Sequence, residues 1–121
     1  MENNLNLPAN VKRITHIGAI YGRVIAVNRK KLGIDQAELG KLVSMKQPAI
    51  SRLERGETRL TIYDAENIAY ALGMSWSELI QKIEKAKRAM WRAHVRILLD
   101  HVVQANPIAA LDAAAMDQII A

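Results

Sequence analysis

Two glutamines, Gln36 and Gln47, lie eleven positions apart, and each stands beside the start of a short segment with an apolar pattern. A glutamine amide presents a donor and an acceptor in one plane, which matches N6 and N7 of adenine in the major groove of DNA. Ser51 and Arg52 follow Gln47 closely. A hydroxyl suits several base edges, and an arginine fork matches O6 and N7 of guanine. These residue types could together read base pairs.

Two short helices are expected to position these side chains. Asp35 can cap a helix that runs to about Val43. After a tight connection at residues 44–46, a second helix is expected from near Gln47 to just before Gly56. Helices of this size and spacing form a helix-turn-helix unit, whose second helix enters the major groove.

The outer face of that second helix follows from its apolar positions. Ile50 and Leu53 face inward, which leaves four residues on the opposite face at one-and-four spacing. They are Gln47, Pro48, Ser51 and Arg52. Pro48 has no side-chain donor, so it can offer only apolar contact, for instance with a thymine methyl. Gln36 would sit above the sugar-phosphate backbone, where its amide and free helix N–H groups can bind a phosphate oxygen.

Simpler interpretations of these side chains stay open. A glutamine on a short helix is most often a solvated surface residue. Arg52 could equally contact a phosphate, or pair with Glu38 or Glu54. The arrangement as a whole, rather than any one residue, favours base reading.

Charge is distributed unevenly along a chain whose net charge is +5. Residues 1–60 carry eleven Lys/Arg against five Asp/Glu, a balance of +6, whereas residues 61–121 carry six against seven, a balance of −1. A charged run is commonly only a solvated face. Beside the glutamine pair, however, an excess of cations is what a phosphate-binding surface needs.

The rest of the chain shows helix signals and almost no strand signals, so the sequence predicts an all-α protein. A first helix is expected from about Thr15 to Leu32. Thr61 and Ser75 each open a further helix with a capping-box variant. The first of these two carries an apolar stripe that is ended by Gly73.

The C-terminal third also predicts helices. Six residues recur at three- and four-residue spacing and indicate an amphipathic helix, either continuous with the fifth or bent away from it: Ile83, Met90, Trp91, His94, Leu98 and Val102. Asn106 and Pro107 then suit the start of a last helix over residues 108–121.

The apolar character of this last segment favours dimerisation over packing against the chain's own bundle. The residues expected at the dimer contact are Trp91, Leu98, Val102, Leu111 and Ile119. A helix lying on a membrane surface is a further alternative, because basic and apolar faces coexist here.

Three motifs, in this order, resemble one known family: Gly33–Leu39 "GIDQAEL", Gln47–Gly56 "QPAISRLERG" and Ile68–Gly73 "IAYALG". The chain from about residue 23 to residue 80 is similar to the Cro/C1-type (XRE-like) helix-turn-helix family of phage repressors and bacterial transcriptional regulators. The resemblance implies a five-helix, lambda-repressor-like bundle that binds operator DNA as a dimer, here with a C-terminal helical extension.

The resemblance also implies roles for particular residues. Those expected at the DNA are Gln36, Lys46, Gln47, Pro48, Ser51, Arg52, Thr58 and Arg59. Gln36 matches the phosphate-contacting glutamine of the family and Gln47 its adenine-reading glutamine, while Thr58 and Arg59 fall in the loop that approaches the backbone. Lys46 stands where the family has a cap serine and is expected to contact a phosphate.

Other matched positions are structural. Arg29 and Glu54 match a partly buried ion pair that ties the first helix to the third, although Arg29 could instead contact phosphate. Gly40 replaces a small alanine and is expected to weaken the second helix by about 1 kcal/mol. Ser44 replaces the turn glycine of the family.

Several kinds of chemistry find no support in the sequence. There is no cysteine, hence no disulfide and no thiolate metal site. His94 and His101 lie seven residues apart, too far to chelate one metal ion. No phosphate-binding glycine loop or hydrolase motif occurs. We therefore expect no cofactor, no metal and no enzymatic activity.

The sequence predicts three parts: an N-terminal arm over residues 1–14, a DNA-binding domain over 15–82 and a dimerising extension over 83–121. It predicts a cytoplasmic transcriptional regulator, with no membrane segment, that represses by binding an inverted-repeat operator as a homodimer. Two alternatives remain: an antitoxin whose apolar tail holds a toxin, and a protein-interaction module that does not bind DNA.

Overall fold

The computed structural model describes residues 13–98 and 111–120 of the chain. In these two ranges, six helices and two strands follow one another: β1 (Arg13–His16), α1 (Ile17–Lys31), α2 (Gln36–Val43), α3 (Gln47–Glu54), α4 (Ile62–Ala71), α5 (Trp76–Arg92), β2 (Val95–Leu98) and α6 (Ala113–Ile120). The predicted all-α class is confirmed, since the two strands have only four residues each.

Local capping sets the starts of α2, α4 and α5, as the sequence predicts. The Asp35 carboxylate accepts from the Glu38 N–H at 2.8 Å, and the Glu38 carboxylate accepts from the Asp35 N–H at 2.9 Å. Ser75 forms the same reciprocal pair ahead of α5. Thr61 accepts from the N–H of Asp64 at 3.1 Å ahead of α4. Each side chain satisfies an N–H that the helix itself cannot pair.

The buried core lies between α1, α2, α3, α4 and α5. It includes Ile20, Val24, Ile25, Leu39, Ile50, Leu53, Ile68, Leu79, Ile83 and Met90. At Gly22, α1 comes so close to the end of α3 that an added Cβ would lie 2.5 Å from the carbonyl oxygens of Leu53 and Glu54. Glycine at this position therefore lets the two helix backbones meet.

The turn between α2 and α3 keeps the geometry of a glycine turn although it contains none. Ser44 adopts the left-handed conformation, with φ 59° and ψ 41°. The Met45 N–H then donates to the Gly40 carbonyl at 2.8 Å. A Cβ on Gly40 would lie 2.3 Å from the Met45 carbonyl oxygen. Gly40 thus does more than weaken α2, because it makes room for the turn.

The prediction that a helix runs on towards Val102 is wrong beyond Arg92. α5 ends there, and His94 has a φ of 62°. Residues Val95–Leu98 form β2, which pairs in parallel with β1 from Arg13↔Val95 to His16↔Leu98. Leu98 therefore lies on a strand. The sequence did not indicate this pairing because the partner strand lies about eighty residues away and each strand is too short to show a clear period of two.

The first helix also begins later than predicted. Thr15 and His16 belong to β1, so α1 starts at Ile17. His16 serves as the N-cap residue with extended backbone angles. The strand signal here is one β-branched pair, Ile14 and Thr15, both of which are buried.

Helix α6 packs against α1 and α5. The Asp112 carboxylate caps it by accepting from the Ala115 N–H at 2.8 Å. Met116 is buried, and Arg23 of α1 donates to both carboxylate oxygens of Asp117 at 2.9 and 2.8 Å. The start predicted at Asn106 and Pro107 lies outside the described residues. The boundary expected between residues 82 and 83 falls inside α5.

Gly40→Ala tests the close approach at the turn. The new Cβ would clash with a backbone carbonyl, and such overpacking is expected to lower the free energy of unfolding by about 1–3 kcal/mol. In an unobstructed helix the same change would instead stabilise by about 1 kcal/mol. Urea unfolding measures the difference. Lys41→Ala, at the exposed neighbouring position, should change stability little, and a Gly40→Ala protein more stable than the wild type would contradict the described turn.

Candidate nucleic-acid interface

A buried ion pair joins α1 to α3. Arg29 is 7% exposed and Glu54 2%. The guanidinium donates through Nε to Oε2 of Glu54 at 2.7 Å and through Nη2 to Oε1 at 2.9 Å. Its Nη1 donates to the Ile34 carbonyl at 2.9 Å. A two-point, charge-assisted contact of this kind fixes both geometry and orientation, so the ion pair holds α3 against α1.

The two glutamines extend this ion pair to the protein surface. Gln36 donates through Nε2 to Oε1 of Glu54 at 2.8 Å. Because the amide nitrogen of Gln36 points to Glu54, the carbonyl oxygen of Gln36 faces Gln47. Gln47 donates to this oxygen through Nε2 at 2.7 Å. Gln47 keeps its own carbonyl oxygen and its second N–H for another partner. The sequence assigned the two amides separate tasks and did not predict that they touch.

The outward face of α3 is formed as the apolar pattern predicts. Ile50 and Leu53 are buried, whereas Gln47, Pro48 and Arg52 are exposed and Ser51 is half-buried. Lys46 precedes the helix as an exposed N-cap residue without a side-chain cap.

Arg52 forms neither of the ion pairs that the sequence left open. Within residues 13–98 and 111–120, no ion pair links it to Glu38 or Glu54. The Glu54 carboxylate is already used by Arg29 and Gln36. The guanidinium of Arg52 therefore stays on the exposed face of α3.

The loop between α3 and α4 carries two of the expected residues. Thr58 and Arg59 are both exposed. They also line a groove of about 580 Å³ that reaches Tyr21 of α1 and Trp76 of α5. The structure thus places this loop at the surface, on the C-terminal side of α3.

A second ion pair borders α3, and the sequence did not indicate it. Arg55 donates through Nε and Nη2 to the two carboxylate oxygens of Glu57 at 2.8 and 3.1 Å. Its Nη1 donates to the hydroxyl oxygen of Ser51. The hydrogen bonds from Arg55 hold the pKa of the Glu57 carboxyl below its usual value. The available signal was the spacing of the three residues, since Arg55 follows Ser51 by one helical turn.

Comparison with known proteins supports a family assignment. Residues 25–79 match the family model described as "Helix-turn-helix". The DNA-binding domain of the P22 C2 repressor, residues 1–76, is 40% identical in sequence over 50% of this chain and 79% of that chain, with a TM-score of 0.48. The chain belongs to the helix-turn-helix family. The match of residues 25–79 to the family model supports this assignment.

The fold of this helix-turn-helix protein also resembles that of a second solved structure. The clp gene regulator ClgR from Corynebacterium glutamicum is 20% identical over 65% of this chain and 83% of that chain, with a TM-score of 0.59. At this level of identity the comparison concerns the fold alone. No curated protein sequence gives a significant match.

The residues expected at a dimer contact are spread over different environments in this helix-turn-helix protein. Trp91 is 71% exposed at the end of α5, whereas Leu98 is 9% exposed on β2. Leu111 and Ile119 are partly buried and pack against the chain's own core. Val102 lies outside the described residues. Dimerisation through this set stays a prediction.

The described ranges contain neither a candidate metal cluster nor a membrane-spanning helix. In them, no group of three or more His, Cys, Asp or Glu side chains could hold a metal ion. His101 lies outside these ranges. No helix among the described residues combines the length and the apolar character needed to cross a membrane.

Glu54→Gln tests the buried ion pair. The substitution keeps the shape of the side chain but leaves the Arg29 charge buried without a counter-charge, so we expect a loss of about 3–5 kcal/mol in the free energy of unfolding. The double variant Arg29→Met/Glu54→Leu should lose less, because it removes both charges. Glu84→Gln, which opens the exposed Lys87–Glu84 pair, should leave the unfolding midpoint unchanged. Equal stability of the Glu54→Gln and Glu84→Gln proteins would contradict the structural role of the buried pair.

Proposed function

We propose that this helix-turn-helix protein is a DNA-binding transcriptional regulator that reads operator sequence with α3 and represses by occupying the operator. The observation that carries the proposal is the connected set Arg29–Glu54–Gln36–Gln47, which leads from a buried ion pair to one amide on the outer face of α3. Through Gln36, the exposed amide of Gln47 is tied to a buried carboxylate.

The free atoms of Gln47 suit adenine. Its carbonyl oxygen can accept from the adenine N6 amino group, and its remaining N–H can donate to N7. Holding an exposed side chain in one orientation before binding removes an entropy cost of about 0.5–1.5 kcal/mol. Glu54 and Gln36 supply that orientation, so Gln47 is the residue to which we assign adenine reading.

The neighbouring residues divide between phosphates and bases. Lys46, Arg59 and Thr58 lie at the two ends of α3, where they suit the sugar-phosphate backbones. Arg52 and Ser51 lie on the outer face between them and suit base edges, and Pro48 suits a thymine methyl. Each phosphate neutralised by a lysine or arginine is expected to contribute about −0.9 to the slope of log affinity against log salt.

Repression and dimerisation form the finer part of the proposal. The 40% identity to the DNA-binding domain of a repressor supports repression. A two-fold dimer would place two copies of α3 on successive turns of an inverted repeat. Trp91, exposed at the end of α5, is available for a contact between copies. We place this activity in the cytoplasm.

Gln47→Ala tests the assignment of adenine reading. The variant should lose about 1–3 kcal/mol of discrimination at a single base pair, because the amide contributes both of its hydrogen bonds there. Competition titrations of an operator duplex and its single-base-pair variants measure this loss. Gln81→Ala removes a matched exposed glutamine from α5 and should bind as the wild type does. Equal loss by Gln47→Ala on operator and random DNA would refute base reading by this residue.

Gln36→Ala separates support from direct contact. If Gln36 orients Gln47, its removal should weaken discrimination at the same base pair as Gln47→Ala does. The two substitutions should then be less than additive in the double variant, as expected for residues in one hydrogen-bonded network. If Gln36→Ala weakened binding to every duplex and left discrimination at that base pair unchanged, Gln36 would act only on the backbone.

A further inference from the structure

The Arg55–Glu57 pair lies at the C-terminal end of the proposed recognition helix and contacts Ser51, one of the residues proposed to read bases. Arg55 is the C-cap residue of α3, and its backbone N–H donates to the carbonyl of Ser51 at 3.1 Å. Its guanidinium contacts the hydroxyl of the same serine through Nη1. The other two nitrogens of the fork are used by the Glu57 carboxylate. One arginine thus connects a carboxylate in the loop to a hydroxyl on the outer face of α3.

This contact settles the polarity of the Ser51 hydroxyl. A serine hydroxyl is ordinarily both a donor and an acceptor. Here its oxygen accepts from a cation, so a second donor that approached the same oxygen would meet positive charge. The hydroxyl proton carries no such constraint and can turn towards the groove. Ser51 should therefore donate to a base and accept poorly from one.

The major groove distinguishes these two behaviours. Guanine O6 and N7, adenine N7 and thymine O4 are acceptors, whereas the polar group of cytosine in this groove is the N4 amino donor. A serine restricted to donating should accept guanine, adenine or thymine at the base it contacts. It should reject cytosine there, because two donors would face each other.

Glu57 has a second effect, on affinity in general. Arg55 lies at the surface of an otherwise basic face, where an unoccupied guanidinium would bind a phosphate of any sequence. The two hydrogen bonds from Arg55 to Glu57 occupy that fork. An exposed ion pair is weak in water, but it is enough to compete with a single phosphate contact at the rim of an interface.

We propose that Arg55 and Glu57 are specificity-determining residues: Arg55 fixes Ser51 as a hydrogen-bond donor to the bases, and Glu57 withholds Arg55 from the phosphates. The proposal rests on the proposed function, since it assumes that α3 enters the major groove. Both are positioning residues: Glu57 holds Arg55, Arg55 orients Ser51, and neither needs to touch a base.

Glu57→Gln is the test, because the amide cannot hold the guanidinium as a carboxylate does. The proteins are titrated against an operator duplex and against its three base-pair variants at each position of the half-site, at 50 and 200 mM salt. Glu84→Gln is the matched control, because Glu84 also pairs with one cation at the surface but lies on α5. Both variants remove one negative charge, so the change in net charge is the same.

Two results are expected for the wild type and Glu57→Gln. The base pair that Ser51 contacts is identified as the one at which Ser51→Ala loses discrimination. At that position, the wild type should bind the duplex with cytosine about three- to tenfold more weakly than the best duplex, as for one hydrogen bond. Glu57→Gln should bind random DNA more tightly than Glu84→Gln. For Glu57→Gln, the affinity at 50 mM salt divided by the affinity at 200 mM salt should be about 3.5-fold larger than for Glu84→Gln, as for one more phosphate contact. The rejection of cytosine by Glu57→Gln should also be reduced.

The outcomes separate the inference from the proposed function. A wild-type protein that binds every duplex equally would refute the proposed function itself. A wild type that discriminates among duplexes, with Glu57→Gln and Glu84→Gln alike in salt dependence and in cytosine rejection, would overturn the inference alone. Arg55→Gln gives a second check, since it should relax the rejection of cytosine without adding a phosphate contact.

Discussion

The buried ion pair between Arg29 and Glu54 is the interaction on which the rest of the site depends. Two charges taken out of water are costly unless every hydrogen bond between and around them is made. That requirement fixes the carboxylate of Glu54 in one orientation. Oε1 of Glu54 accepts one hydrogen bond from Arg29 and a second from Gln36. The orientation of Gln47 follows in turn. A constraint that arises in the core of the bundle is thereby expressed on its surface.

Backbone contact makes this geometry possible. At Gly22 the first helix approaches the end of the third, and at Gly40 the second helix approaches the turn, each at a distance that excludes a Cβ. Ser44 adopts a left-handed conformation that usually belongs to glycine. The two helices of the motif are therefore held by three backbone constraints in addition to apolar packing. Such a rigid support is what a reading surface needs if its side chains are to select among bases that differ by single polar groups.

The features that the sequence predicted are local ones. Asp35, Thr61 and Ser75 indicate where their helices begin, because a capping contact spans only three residues. The inward positions of α3 follow from the helical period of its apolar residues alone. The Arg29–Glu54 pair came from the family resemblance rather than from spacing. The features that were missed depend on tertiary structure: β1 and β2 pair across the length of the domain, and the contact between Gln36 and Gln47 requires the angle between α2 and α3. The Arg55–Glu57 pair depends on the path of the loop after α3, which helix periodicity does not describe.

We propose that α3 reads base sequence with a pre-oriented set of side chains. The most direct measurement is selection of the purified protein against randomised duplexes at physiological salt, followed by sequencing of the retained DNA. The retained DNA is expected to contain an enriched inverted repeat, with half-sites about one helical turn apart and a fixed adenine in each half. Retention without any enriched sequence would contradict this proposal, since the cations of the surface would then bind phosphates while the oriented amides read nothing.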